Sequence, residues 1–482
     1  MRSWRPSGRP AAIAVLAALA GLAVPAVAAA HNVGGRLASP LPFVAYLGGA
    51  VVAVGVSFLL LALSDPGPPR DDRGGRVRTV PRVARLALRA IGLIGWLWVA
   101  AQAIIGGSSD ADVASLFLWE YGWIGLALIS AFLGPVWRWI DPFTTIFDLI
   151  GAVGRRLGIR GMAPQAWPER LAAWPAVIGF GFFVWLELVS KTASGRPLGM
   201  VMLAYTAITV LAMAQFGRDE WRARGETFGV WFGTLGRLAR YVVETDGDDG
   251  RVRRRPFGSG LVTRDWDPSL IVLVALGTGS IIFDGLSQTD VFFRAFGVPS
   301  VATGTVLLAV FMAIIVGAVL AVGRIVGLPA MGAGLLPVAV GYLIAHYLST
   351  LLTDGQRIVT AISDPFQQGW DLFGTAFWEP QSAWLSTELL WTIEFGAVVI
   401  GHIIGAWAGH AAGRATAEPG TEAAGDTRRG QVALAVLMVL LTSLTLWSLG
   451  QSIKFESGEP NAGTGAAAVT VTVAVTGSTI GR

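Results

Sequence analysis

The sequence predicts an all-α fold, a polytopic transmembrane helical bundle with about ten spans after a cleaved signal peptide. Three observations carry that expectation. The chain is 53% hydrophobic and only 14% charged, with a mean hydropathy of +0.60, far from the balance of a soluble domain. Its apolar residues recur in runs of about 20, the length a helix needs to cross a hydrocarbon core of about 30 Å. The runs are continuously apolar and lack the in/out alternation of a membrane barrel.

Residues 1–30 read as a signal peptide. Arg2, Arg5 and Arg9 precede an apolar core from Ala11 to Val24 and the small-residue exit Ala28-Ala29-Ala30. Cleavage there makes His31 the mature N-terminus, on the outer side; the alternative is an uncleaved first membrane helix. Spans follow at about residues 43–63, 90–106, 115–134, 171–189, 198–216, 268–285, 301–322, 333–353, 387–410 and 432–450. Starting outside and alternating, the loops that fall inside hold 26 of the 36 Lys and Arg residues, as the positive-inside bias requires. The expected location is therefore a bacterial plasma (inner) membrane, multi-pass, with the mature N-terminus and C-terminus outside. The pI of 9.7 reflects this loop bias and not a nucleic-acid partner. With no cysteine, disulfides, thiolate metal sites and cysteine nucleophiles are excluded.

Within this topology residues 31–216 form a first five-span unit and 268–450 a second. Residues 217–267 are a cytoplasmic loop between them. In that loop Thr227–Val243 is expected as an interfacial helix on the inner membrane surface, and the stretch around Glu244–Arg255 as a solvated, flexible excursion. Residues 451–482, rich in Gly, Ala, Thr and Val, are expected as a flexible extracytoplasmic tail.

A short motif occurs twice. Asp141-Pro142-Phe143 is followed by Asp148, and Asp364-Pro365-Phe366 by Asp371, each pair of aspartates seven apart. Five spans separate the copies, and because five is odd the second unit would be upside down, as in inverted-repeat carriers. Asp before Pro is a good helix start, so each copy predicts a short helix; two independent helix starts are the alternative.

Ionisable side chains inside apolar spans are expensive and point to function. His346 and Glu394 lie about seven residues from the outer ends of their spans, hence about 10 Å deep, and Glu187, Asp284 and Glu120 lie near outer ends as well. An outward-facing pocket follows, with His346, Glu394 and Asp284 as candidate catalytic groups that activate a water. His346, Glu394 and Glu187 are the candidate ligands of a divalent metal ion. The alternative is a buried His–Glu pair that fixes helix register. A haem between His346 and His402 is disfavoured, because the two differ in depth by about 12 Å at 1.5 Å per residue. His31 would chelate copper only if signal cleavage frees its amine. Nucleotide-binding loops, G-x-S-x-G elbows and H-E-x-x-H helices are missing from the sequence.

Seven blocks, in order, carry a family resemblance: Trp185-Leu186-Glu187-Leu188-Val189, Phe228-Gly229-Val230-Trp231-Phe232-Gly233, Phe283-Asp284-Gly285, Ala345-His346-Tyr347, Ser363-Asp364-Pro365, Leu372-Phe373-Gly374-Thr375-Ala376 and Gly401-His402. They resemble bacterial polytopic membrane proteins identified as fenitrothion hydrolase. The resemblance implies a hydrolase of the phosphoric triester type, releasing a nitrophenol from a small lipophilic substrate that partitions into the lipid bilayer. A carrier for a small solute or metal ion and a non-catalytic subunit of a membrane assembly are the other two expectations.

Overall fold

The computed structural model describes residues 48–49, 55, 75–106, 112–159, 163–190, 192–246, 249–381, 384–417 and 427–449. The signal peptide, His31, the C-terminal tail and nearly all of the span expected at about 43–63 lie outside the described residues.

Nine helices among the described residues are long and apolar enough to cross a membrane. They are α1 (Arg82–Ile105), α2 (Val113–Phe132), α4 (Trp174–Leu188, within a helical segment Glu169–Leu188), α5 (Gly195–Phe216), α8 (Pro268–Ser287), α9 (Val301–Val326), α10 (Leu328–Thr353), α11 (Thr387–Thr416) and α12 (Arg428–Leu449). Shorter helices α3 (Pro142–Arg156), α6 (Arg218–Arg224) and α7 (Thr227–Leu235) lie between them. Each expected span from about residue 90 onward coincides with one of the nine. Their ends follow local chemistry. Asp267 caps α8 by accepting from the Ser269 and Leu270 amides, with Pro268 in the first turn. Gly217 and Gly327, at φ 91° and 92°, end α5 and α9 in a region that disfavours any side chain.

Helices α8 and α10 form the centre, buried over 78% and 83% of their most apolar windows, against 22% for α1 and 28% for α9. The outer helices turn Ile91, Ile94, Ile178, Val310 and Ile314 outward, an apolar rim suited to lipid. Helix α10 packs along α11 through small residues. A Cβ at Gly405 would stand 2.4 Å from the Gly334 carbonyl oxygen, and one at Gly341 2.6 Å from that of Ala397. The two backbones therefore touch, the close approach that small residues permit between spanning helices.

Two expectations for residues 217–267 are corrected. Helix α7 stops at Leu235, and Val230, Trp231, Phe232 and Leu235 are all buried. Apolar side chains surround this helix instead of forming one stripe, so it inserts into the bundle rather than lying on a surface. The supposed flexible excursion is a hairpin of β2 (Tyr241–Asp246) and β3 (Asp249–Arg254), extended by β1 (Val77–Thr79) into an antiparallel sheet of order β1-β3-β2. Val77 pairs with Arg253 and Val243 with Val252. The all-α expectation thus gains one small sheet, which ties the segment before α1 to the segment before α8.

The two Asp-Pro-Phe copies also diverge. Asp141 opens α3 as predicted, accepting from the amides of Phe143 and Thr144, and its carboxylate pairs with Arg222 at 3.2 Å. Asp148 pairs with Arg89 at 2.5 Å and Arg218 at 3.2 Å. Asp364 opens no helix. Its carboxylate accepts from Gln368 and Gly369 instead, and Gln367, Gly369 and Gly374 adopt left-handed φ, which stops a right-handed helix from propagating.

Beside Asp141, the carboxylate of Glu226 is 1% exposed and accepts from Trp137 Nε1, the Tyr205 hydroxyl and the amides of Phe228 and Gly229. Burial, then the neighbouring Asp141 charge, pushes its pKa up from 4.5 to about 7, against these donors. The folded protein thus holds a proton that the unfolded chain releases. The resulting stability is complete below pH 4.5 and is lost as pH rises through about 7. Replacing Glu226 by Gln is expected to flatten the fall of the unfolding midpoint over that window, measured on detergent-purified protein; an unaltered slope contradicts the assignment. Gly405→Val is expected to cost about 1–3 kcal/mol by forcing α10 and α11 apart, read as a lower unfolding midpoint.

Candidate functional site

The ends of α4, α8 and α10 and the beginning of α2 meet at one end of the bundle, opposite the sheet and the Arg222–Asp141 pair. In the last turn of α8, Asp284 faces His346 and Tyr347 of α10. Its Oδ2 is 2.8 Å from His346 Nε2 and accepts from the Tyr347 hydroxyl at 3.0 Å. Its Oδ1 accepts from Gln288 Nε2 at 2.8 Å, one helical turn on. His346 is 3% exposed and the Asp284 side chain 16%. Close packing supports this contact: a Cβ at Gly285 would lie 2.8 Å from Ser448 Oγ and 3.4 Å from His346 Cε1.

Next to this set, Ser115, Leu116, Trp119, Glu120, Glu187 and Ala193 line a cavity of about 190 Å³. Glu187 comes from the last turn of α4, and Ser115 and Glu120 from the start of α2. One carboxylate oxygen of Glu120, one of Glu187 and the Ser115 hydroxyl are buried without a hydrogen-bond partner. No Arg or Lys is among the described residues that line it. Ionised carboxylates that share a buried space repel one another, and burying them without partners is costly.

The backbone beneath Glu120 is unusual. Residues Leu116–Gly125 form a π-helix of ten residues, whereas most π segments are single-turn bulges, frequent at functional sites. Ser115 and Glu120 are five apart, which at the α-helical period separates them by about 140°. The wider π turn brings both to the same cavity. Trp119 is held in the wall by its Nε1, which donates to the Ala193 carbonyl at 2.8 Å.

The sequence-predicted groups are thus partly assembled. His346 and Asp284 are in direct contact, and Glu187 stands beside them with Glu120. Glu394 is buried on α11, one turn from Ala397, which packs on Gly341 of α10. Among the described residues no group of three or more His, Asp and Glu side chains is placed to hold a metal ion. The expected set of His346, Glu394 and Glu187 is therefore not gathered into one ligand sphere. His402 bonds the Val398 carbonyl through Nδ1 at 2.8 Å and Thr442 Oγ1 through Nε2 at 2.5 Å. Both its ring nitrogens are engaged, so it serves helix packing and not haem ligation. Ser115, Trp119, Tyr347 and Gln288 escaped the sequence reading. Tyr347 adjoins His346, and Gln288 follows Asp284 by four, so a search for helical neighbours of each carboxylate finds both. Ser115 needs the π spacing and carries no such signal.

No protein-family model, no curated protein and no solved structure matches this chain.

Asp284→Ala leaves His346, Tyr347 and Gln288 without their shared acceptor. Stability is expected to fall by about 1–3 kcal/mol, seen as a lower unfolding midpoint in detergent; Asp284→Asn, which keeps an acceptor, loses less.

Proposed function

We propose that this chain is an integral membrane protein of the bacterial plasma membrane that carries a small solute or metal ion, with the cavity between α2 and α4 as its binding site. The observation that supports this reading is the set of buried, unpartnered oxygens on Glu120, Glu187 and Ser115. Inside a bundle such groups are normally satisfied, and their cost is offset when a ligand completes them. The broken α–π–α course of α2 fits, because carriers build their sites from irregular helices. The alternation of arginine-rich loops supports an outer-side position for the cavity, and a five-plus-five inverted repeat belongs to the same reading. Uptake into proteoliposomes is the test. Glu187→Gln is expected to lower uptake at least tenfold while Asp364→Asn leaves it unchanged; equal uptake by wild type and Glu187→Gln overturns the assignment of the site.

A second reading is favoured by the Asp284–His346–Tyr347 contacts. A carboxylate that orients an imidazole is the arrangement of a general base, and these residues fall within two of the blocks that resemble fenitrothion hydrolase. An uncharged triester would reach the site from the bilayer, and His346→Ala would abolish nitrophenol release. The cavity walls speak against it. Phosphoryl transfer builds negative charge on oxygen and needs cationic or N–H donors, whereas these walls present carboxylates.

A further inference from the structure

We propose that the cavity between α2 and α4 binds a small organic ammonium ion, held by Glu120, Glu187 and Ser115 against the wall formed by Trp119. This names the ligand class of the site and rests on the carrier reading above.

Among the described residues two carboxylates and no basic side chain line the space, a lining that favours a cation. The acceptors are in place and unused. Ser115 is 2% exposed, and its hydroxyl, like one oxygen of each glutamate, has no hydrogen-bond partner. The two carboxylates and the hydroxyl that line the space offer enough acceptors for the three N–H donors of a primary ammonium group.

Size and wall chemistry separate an organic cation from a metal ion. The cavity measures about 190 Å³, where about 10–15 Å³ on the same measure holds one water molecule. A bare metal ion would leave most of that space unfilled. It would also lack ligands, because no three His, Asp or Glu side chains among the described residues are placed to hold one. The rest of the wall is apolar: Leu116, Ala193 and the Trp119 ring. Aromatic rings, tryptophan above all, attract cations through their π face, and alkyl groups pack beside them. The hydrogen bond from Trp119 Nε1 to Ala193 keeps the indole polar atom occupied, leaving the ring to act through its apolar surface. An ammonium head toward the carboxylates with an alkyl tail of a few carbons toward Leu116 and Ala193 satisfies every part of this lining. A neutral alcohol of the same shape would leave the two carboxylates without a countercharge.

The full-length chain, purified in detergent, is titrated with radiolabelled propylammonium by equilibrium dialysis, with 1-propanol, sodium and zinc as competitors. Saturable propylammonium binding is expected, weakened at least tenfold by Glu187→Gln or Glu120→Gln, severalfold by Trp119→Leu, and resistant to 1-propanol. A measurement on the unaltered chain guards against misfolded variants: propylammonium should protect Glu120 and Glu187 from a hydrophobic carbodiimide, which attacks buried carboxyl groups. Absence of both saturable binding and protection overturns the proposal, as does binding that survives in both glutamine variants. Zinc or sodium bound through Glu187, with no propylammonium binding, overturns the ammonium class and leaves the carrier reading standing. Propylammonium that binds but does not enter proteoliposomes overturns the carrier reading and leaves the ammonium site standing.

Discussion

A carboxylate enclosed by apolar helices must find its hydrogen-bond donors within the protein, and this requirement organises the whole bundle. Asp284 meets it with His346, Tyr347 and Gln288. Glu226 meets it with Trp137, Tyr205 and two amides, and Asp141 with Arg222 and the start of α3. Each of these carboxylates ties together elements far apart in sequence. Against that background the unpartnered oxygens of Glu120, Glu187 and Ser115 are conspicuous. Among the ten buried side-chain polar atoms without a hydrogen-bond partner among the described residues, these are the three whose residues line one cavity.

Two differently built parts of the scaffold meet beside that cavity. On one side stand α8 and α10, the two most buried helices, with α10 locked to α11 by backbone contact at Gly341 and Gly405. They position Asp284 and His346. On the other side, the π segment of α2 carries Glu120 and Trp119. Hydrogen bonding in a π-helix is less favourable than in an α-helix, so such a segment persists where surrounding structure or function requires it. The cavity itself is walled by α2, the last turn of α4 and Ala193, beside the Asp284–His346 contact that the central helices hold.

The two Asp-Pro-Phe copies show how far a local signal reaches. Both aspartates can cap a helix, and only Asp141 does. Thr144, Thr145 and Ile146 follow the first copy, and the helix runs on against α1 and α5, with Asp148 paired to Arg89 and Arg218. The second copy runs into Gln367-Gln368-Gly369, where left-handed φ angles turn the chain, and its carboxylates bond within their own loop. Capping starts a helix, but propagation needs residues that tolerate helical φ and a surface to pack on.

Sequence alone determined where the spanning-length helices lie, because an apolar run of about 20 residues is a one-dimensional quantity that needs no knowledge of neighbours. It also singled out Asp284, His346 and Glu187, since an ionisable residue in such a run is anomalous wherever it packs. Tertiary structure alone decided who partners whom. His346 faces Asp284 because α8 and α10 run side by side at the centre of the bundle. The surface helix expected at Thr227–Val243 is a buried α7 followed by a strand because Glu226 and the bundle end receive it. Ser115 joins Glu120 because α2 widens into a π-helix. Each of these depends on contacts between segments distant in sequence, and the open acidic cavity, which none of the segments encodes by itself, exists only where they meet.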